Sequence, residues 1–163
     1  YEKRSVFMLR ALVLSDSHRD YYSLERVLRL HPEAEAVFFL GDGEDDFFSP
    51  SVQKLLVNKK VTALAGNCDW GSTLPKEELV PLGGKRIFAL HGHTRLVKYG
   101  LQDLVSEAKA RKADVAIYGH THVARVDYID GIYFMCPGSV RGGDYGMIDI
   151  TDKGEIACLT ASL

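Results

Sequence analysis

The order of apolar and polar positions predicts alternating strands and helices over the first half of the chain. Residues 9–14 form an apolar run interrupted only by Arg10, the pattern of a strand buried on both faces. Residues 23–30 follow with Leu24, Val27 and Leu28 at helical spacing, and Pro32 stops them. Residues 36–40 predict a second buried strand. Glu44-Asp45-Asp46 predicts a solvated acidic loop, and residues 51–58 predict a second helix that Ser49 or Ser51 caps. Residues 61–65 predict a third strand. Strand, helix, strand, helix, strand argues a parallel sheet.

The texture then changes. Residues 78–82 and 86–90 flank Gly83-Gly84, a strong hairpin signal. Residues 101–111 carry helical spacing through Leu101, Leu104, Val105 and Ala108, and 115–118 predict another strand. Residues 123–129 and 132–135 flank Asp130-Gly131, a second hairpin, which Pro137-Gly138-Ser139 ends. A last pair, 146–150 and 155–160, turns at Asp152-Lys153-Gly154. The expected architecture is α/β, with a more antiparallel second half.

Composition narrows the classes. The chain has 163 residues and a formal net charge of -2, without the basic excess that binding to a nucleic-acid polymer demands. No apolar run approaches the ~20 residues of a membrane span, and no signal peptide is recognisable. Cys68, Cys136 and Cys158 are irregularly spaced and form no CxxC pair, so reduced thiols in the cytoplasm are expected. Residues 1–7 precede Met8. The reading treats them as an upstream or appended extension and expects one domain over residues 8–163.

Polar residues collect where the apolar runs end: Asp16 and His18, then Asp42, then Asn67 and Asp69, then His91 and His93, then His120 and His122. In an open α/β sheet those strand ends face one crevice. Five of the six histidines belong to these clusters, and only His31 does not. Mixed oxygen and nitrogen donors suit Mn²⁺, Fe, Zn²⁺, Ni²⁺ or Co²⁺ better than Ca²⁺ or Mg²⁺. There are too many donors for one tetrahedral ion and enough for two. Two ions roughly 3.5–4 Å apart clamp both oxygens of an in-line displacement, which is phosphoryl chemistry.

Asp16-x-His18, Gly41-Asp42, Gly66-Asn67-Cys68-Asp69, His91-Gly92-His93 and Gly119-His120-Thr121-His122, in this order, resemble the calcineurin-like metallophosphoesterase superfamily. Gly66-Asn67-Cys68-Asp69 and Cys136-Pro137-Gly138-Ser139 resemble its small microbial phosphodiesterase branch. The resemblance implies a four-layer αββα sandwich of two mixed β-sheets flanked by helices. It implies that Asp16, His18, Asp42 and His122 hold one divalent transition metal, manganese before nickel, iron, zinc or cobalt. Asp42 would bridge to a second ion completed by Asn67, His91 and His120. A metal-bridging hydroxide would attack phosphorus.

Larger relatives carry a histidine, thought to protonate the leaving group, where this chain has Cys68. A thiol is a poor general acid, which favours phosphodiesters with activated leaving groups and makes Cys68 and His93 the catalytic candidates beyond the metal ligands. Arg19 stands where many relatives have glycine. Arg95, Lys98 and Arg141 are candidate phosphate contacts, with a surface role the plainer reading of each. Expected partners are a small phosphodiester and further copies of the chain, without nucleic-acid polymer or membrane. The rival reading is a protein-binding scaffold of the same fold, like the retromer subunit that resembles this family. That scaffold lacks part of the ligand set, which is complete here, so the sequence favours a hydrolase.

Overall fold

Alternation along the first strand shows how the layers divide. In the computed structural model, which describes residues 8–163, β1 (Met8–Leu14) turns Ala11 and Val13 to one apolar core and Leu12 and Leu14 to another. Successive side chains of a strand point to opposite faces, so a strand apolar on both must lie between two packed layers. Next come α1 (Tyr21–Leu30), β2 (Ala36–Phe39), α2 (Glu44–Phe47), α3 (Pro50–Gln53) and β3 (Lys60–Ala63). The hairpin β4 (Glu77–Leu82) and β5 (Lys85–Leu90), helix α4 (Gln102–Ala110) and β6 (Val115–Tyr118) follow. Last are β7 (Arg125–Ile129), β8 (Ile132–Cys136), β9 (Asp144–Thr151) and β10 (Ile156–Ser162).

These strands make two five-stranded mixed sheets, ordered β10-β9-β1-β2-β3 and β4-β5-β6-β8-β7. The central core lies between them, where Ala11, Val13, Phe38 and Leu40 meet Ile87, Ala89, Val115 and Ile117. An outer core packs Leu24, Val27 and Leu28 of α1 with Phe47 and Val52 on Leu12, Leu14, Val37 and Phe39. The other outer core packs Leu104 and Ala108 of α4 on Phe88, Leu90, Ala116 and Phe134. The four-layer α/β sandwich implied by the resemblance is the observed architecture. Among the described residues no helix is long and apolar enough to cross a membrane.

Three local expectations change. The acidic stretch 44–46 is not a loop but the first turn of α2. Carboxylates favour a helix N-terminus, and the turn lets buried Phe47 stack on Phe39 with ring centroids 4.7 Å apart. The helix foreseen at 51–58 contracts to α3, with Pro50 in its first turn, and a 3₁₀ turn at Lys54–Leu56. Ser49 starts α3 without capping it, because its Oγ donates to the Asp46 carbonyl at 2.7 Å. The second half is also less antiparallel than expected: β5, β6 and β8 run parallel. The chain leaving β6 passes over β8 to lay β7 on the sheet edge before the hairpin returns.

Arg10, the one charge in the first apolar run, stands opposite Asp149 in the β1–β9 register. Its Nε and Nη2 donate to the two Asp149 oxygens at 2.8 and 2.9 Å, and Glu33 accepts from Nη1 at 3.1 Å. Asp149 is buried and Glu33 is half exposed. Asp149→Asn is therefore expected to cost about 1–3 kcal/mol in denaturant unfolding. Glu33→Gln should stay within about 1 kcal/mol, because solvent screens that partner.

Candidate metal centre

Each candidate ligand sits on a loop that leaves the C-terminal end of a strand, and the backbone there is unusual. Asp16, His18, Asp42, His120 and His122 all have positive φ, between 41° and 70°. Non-glycine residues in this region cost roughly 1–3 kcal/mol each and persist only where the surroundings hold them. Close backbone packing does the holding. A Cβ on Gly66 would fall 2.1 Å from Asp42 Oδ1 and 2.5 Å from its amide nitrogen, so the second and third strand-end loops meet only because position 66 has no side chain. Asp69 then ties them. Its Oδ2 accepts from the amides of Asp42 and Gly66, each at 2.8 Å, and its Oδ1 from those of Gly43 and Glu44 at 3.0 and 3.1 Å.

The donor atoms converge above these loops. Asp16 is fully buried and divides its oxygens: Oδ2 accepts from Ser15 Oγ at 2.5 Å and the His120 amide at 3.1 Å. Its Oδ1 lies 3.0 Å from His122 Nε2 and 3.4 Å from His18 Nε2. Asp42 does the same: Oδ1 accepts from the Cys68 amide at 2.8 Å, while Oδ2 lies 3.3 Å from His91 Nε2 and 3.7 Å from His18 Nε2. His91 Nδ1 donates to the Leu40 carbonyl at 2.8 Å. In the neutral ring that bond puts the proton on Nδ1 and leaves Nε2, aimed inward 3.0 Å from Asn67 Oδ1, as the atom able to ligate.

The spacing fits bound cations. Donors held about 2.1 Å from a common centre lie roughly 3.0–3.4 Å from one another. His18 Nε2 and His122 Nε2 are 3.2 Å apart, a poor arrangement for two neutral acceptors and a good one for two ligands. Asp16, His18 and His122 form one set with donor atoms within 4.8 Å, Asp42, His91 and His120 a second, and His18, Asp42 and Cys68 a third between them.

The electrostatics agree with ligand chemistry. Burial alone would raise the Asp42 carboxyl, but the hydrogen bond and charge of His91, the Cys68 amide and the charge of His18 hold it well below the usual carboxylate range. Burial, then the charges of His91 and Lys98, push His120 down to about 4. It is therefore a neutral imidazole at physiological pH, the form that binds metal. For His91 burial works against the charged form, yet the nearby Asp42 and Asp16 raise it overall.

The structure thus brings Asp16, His18, Asp42, Asn67, His91, His120 and His122 together. His93 stands one layer back, its ring 5.5 Å from that of His91 and 6.2 Å from that of His120, with Nδ1 buried and unpartnered. Burial and the charge of His91 lower its pKa. Cys68 is exposed beside Asp42, and burial of the thiol together with that carboxylate raises its pKa. Arg95 is drawn away, paired to Glu77 at 3.1 Å with Asp103 and Glu107 nearby.

Arg19 and Arg141 line a cleft of about 870 Å³ that opens on His18, Asp42 and Cys68. A second groove, of about 900 Å³ and including Lys98, meets the histidine loop through Thr121. The organising roles of Asp69, Ser15 and Ser139, whose Oγ donates to the Asp16 carbonyl at 2.7 Å, were not foreseen. Asp69 and Ser139 carried a signal, each as the last residue of a quoted motif, Gly66-Asn67-Cys68-Asp69 and Cys136-Pro137-Gly138-Ser139. Removing its four amide bonds by Asp69→Ala is expected to weaken metal binding by about 10- to 100-fold in calorimetric titration.

Comparison with known proteins agrees with this geometry. A family model for the calcineurin-like phosphoesterase superfamily domain matches residues 9–153. The phosphodiesterase YfcE of Escherichia coli (strain K12) is 29% identical over 170 residues, covering 87% of this chain and 88% of that protein. A conserved protein of Streptococcus pneumoniae TIGR4, described as a predicted phosphoesterase, superposes with a TM-score of 0.74 at 24% identity over 96% of this chain and 99% of that one. Vacuolar Protein Sorting 29 of Cryptosporidium parvum superposes with a TM-score of 0.73 at 19% identity over 96% and 100%. The two structures share the fold. With the family domain spanning nearly the whole chain and the donor set in place, this protein belongs to the calcineurin-like phosphoesterase superfamily.

Proposed function

We propose that the chain is a metal-dependent phosphodiesterase with a dinuclear centre, acting on small phosphodiesters. The observation that carries this reading is the position of Asp42 Oδ2, 3.3 Å from His91 Nε2 and 3.7 Å from His18 Nε2, where one carboxylate oxygen can serve both donor sets. Asp16, His18 and His122 would hold the first divalent ion and Asn67, His91 and His120 the second, with Asp42 placed to serve both. Manganese is the first choice, with nickel, iron, zinc and cobalt suited to the same donors. Bound there, the ions supply Lewis acidity and bring coordinated water toward a neutral pKa for in-line attack.

The protein's own groups set the geometry. The Leu40 carbonyl fixes the tautomer of His91, and the Ser15 and Cys68 donors each pin one oxygen of the two aspartates. Arg19 and Arg141 stand on the cleft wall to meet phosphoryl oxygens. The likeness to YfcE, named a phosphodiesterase, supports the diester. For the leaving group, Cys68 and His93 are the candidate proton partners, and neither is a strong acid: burial and the Asp42 carboxylate raise the thiol, while burial and the charge of His91 disfavour the charged form of His93. That favours activated leaving groups. The reading includes a cytoplasmic homo-oligomer with Cys68, Cys136 and Cys158 as free thiols, engaging neither nucleic-acid polymers nor membranes. The fold likeness to Vacuolar Protein Sorting 29 speaks for the scaffold alternative, and the complete donor set speaks for hydrolysis.

The decisive assay is hydrolysis of an aryl phosphodiester with added Mn²⁺. Asp42→Ala and His120→Ala should each lower the rate roughly 10²-fold or more. Equal rates in wild type and both variants would reject the site, and metal-independent inactivity with a tight protein partner would favour the scaffold. A leaving-group series separates the proton partners. Cys68→Ala and His93→Gln should slow an aryl diester less than about tenfold and an alkyl diester more. A loss independent of the leaving group would deny both residues that role.

A further inference from the structure

The chain has one tryptophan, Trp70, and its side chain is 92% exposed. An indole left in water forgoes one of the largest apolar burials a side chain offers, and single exposed apolar residues are ordinary on protein surfaces. What sets Trp70 apart is where it stands and how firmly. It lines the cleft of about 870 Å³ that opens on His18 and Asp42. It directly follows Asp69, whose carboxylate is fixed by four amides, and a turn closed by the Ser72 amide on the Asp69 carbonyl at 3.3 Å surrounds it. The backbone that carries the ring is therefore fixed to the same loops that carry Asp42 and Asn67.

The other cleft walls define what would lie beside the ring. The Arg19 amide donates to Asp46 Oδ2 at 2.8 Å, and that oxygen also accepts from Ser17 Oγ at 2.6 Å. Asp20 is occupied as the N-cap of α1. Glu44 and Asp45 also line the cleft, together with Arg19 and Arg141. An occupant with several phosphates would face those carboxylates; one with a single phosphoryl group and an uncharged arm would not.

We propose that Trp70 is a stacking platform that selects phosphodiesters in which one alcohol carries a flat aromatic group, as an aryl ester or a nucleoside does. The phosphoryl group would lie at the metal centre between Arg19 and Arg141, with the aromatic arm against the indole. Stacking on an aromatic side chain tolerates many rings, because each offers a π-face, so Trp70 sets a class of substrate rather than a single one. The inference rests on the phosphodiesterase reading above.

The test uses phenylphosphonate and methylphosphonate, whose phosphorus–carbon bonds resist hydrolysis, on zinc-loaded protein. With wild type, phenylphosphonate should quench the single-tryptophan fluorescence along its calorimetric binding curve, and methylphosphonate should bind with little quenching. Trp70→Ala should weaken phenylphosphonate about tenfold and leave methylphosphonate within twofold, while Trp70→Phe keeps most of the phenylphosphonate affinity. Unchanged phenylphosphonate affinity in Trp70→Ala, with methylphosphonate still bound, would overturn the role of Trp70 and leave the metal centre standing. Failure of wild type to bind either phosphonate would reject the phosphodiesterase reading and this inference with it.

Discussion

Two carboxylates buried side by side, Asp16 and Asp42, set the terms for everything around them. Taking one charged carboxylate out of water is expensive, and placing two beside the same imidazole, 4.0 and 3.3 Å from His91 Nε2, compounds the cost. The fold answers by dividing each group. One oxygen receives fixed donors from Ser15, His120 or Cys68, and the other is turned toward imidazole nitrogens. Hydrogen bonds of this kind compensate part of the charge and orient the rest. What remains is a set of carboxylate oxygens and imidazole nitrogens facing one another, a donor set suited to divalent cations.

That arrangement explains where the backbone is distorted. Five candidate ligand residues hold positive φ, and each departs from the region a non-glycine side chain prefers. Strain of this sort clusters where a side chain must be aimed rather than merely packed. Here the aim is enforced from beneath by Gly66, by the four-amide grip of Asp69 and by Ser139 on the Asp16 carbonyl. Substitutions at these supports would disturb the centre without touching a ligand.

Much of this was legible from residue order. Apolar runs gave β1, β2 and β6 because strands buried on both faces need no polar alternation, and the motifs at their ends named the seven candidate ligands that the fold brings together. Glu44-Asp45-Asp46 misled, since composition reads as solvated while the helix dipole and the buried Phe47 decide the conformation. The parallel pairing of β6 with β8 lay outside local pattern altogether, because it depends on which edge the β7 hairpin takes. The supports of the site were hidden for a related reason. Ser15, Ser139 and Trp70 sit beside or within the quoted motifs, but their roles depend on what folds against them.

The donor sets also join the two halves of the molecule. Asp16, His18, Asp42 and Asn67 follow strands of the first sheet, whereas His91, His120 and His122 follow strands of the second. Two of the three sets draw from both: Asp16 and His18 with His122, and Asp42 with His91 and His120. A cation held there is a rivet through the seam between the sheets. By linkage, whatever free energy it gains on binding is withheld from any motion that parts them. Metal loading and the docking of the central apolar layer would then be one equilibrium, read from two sides.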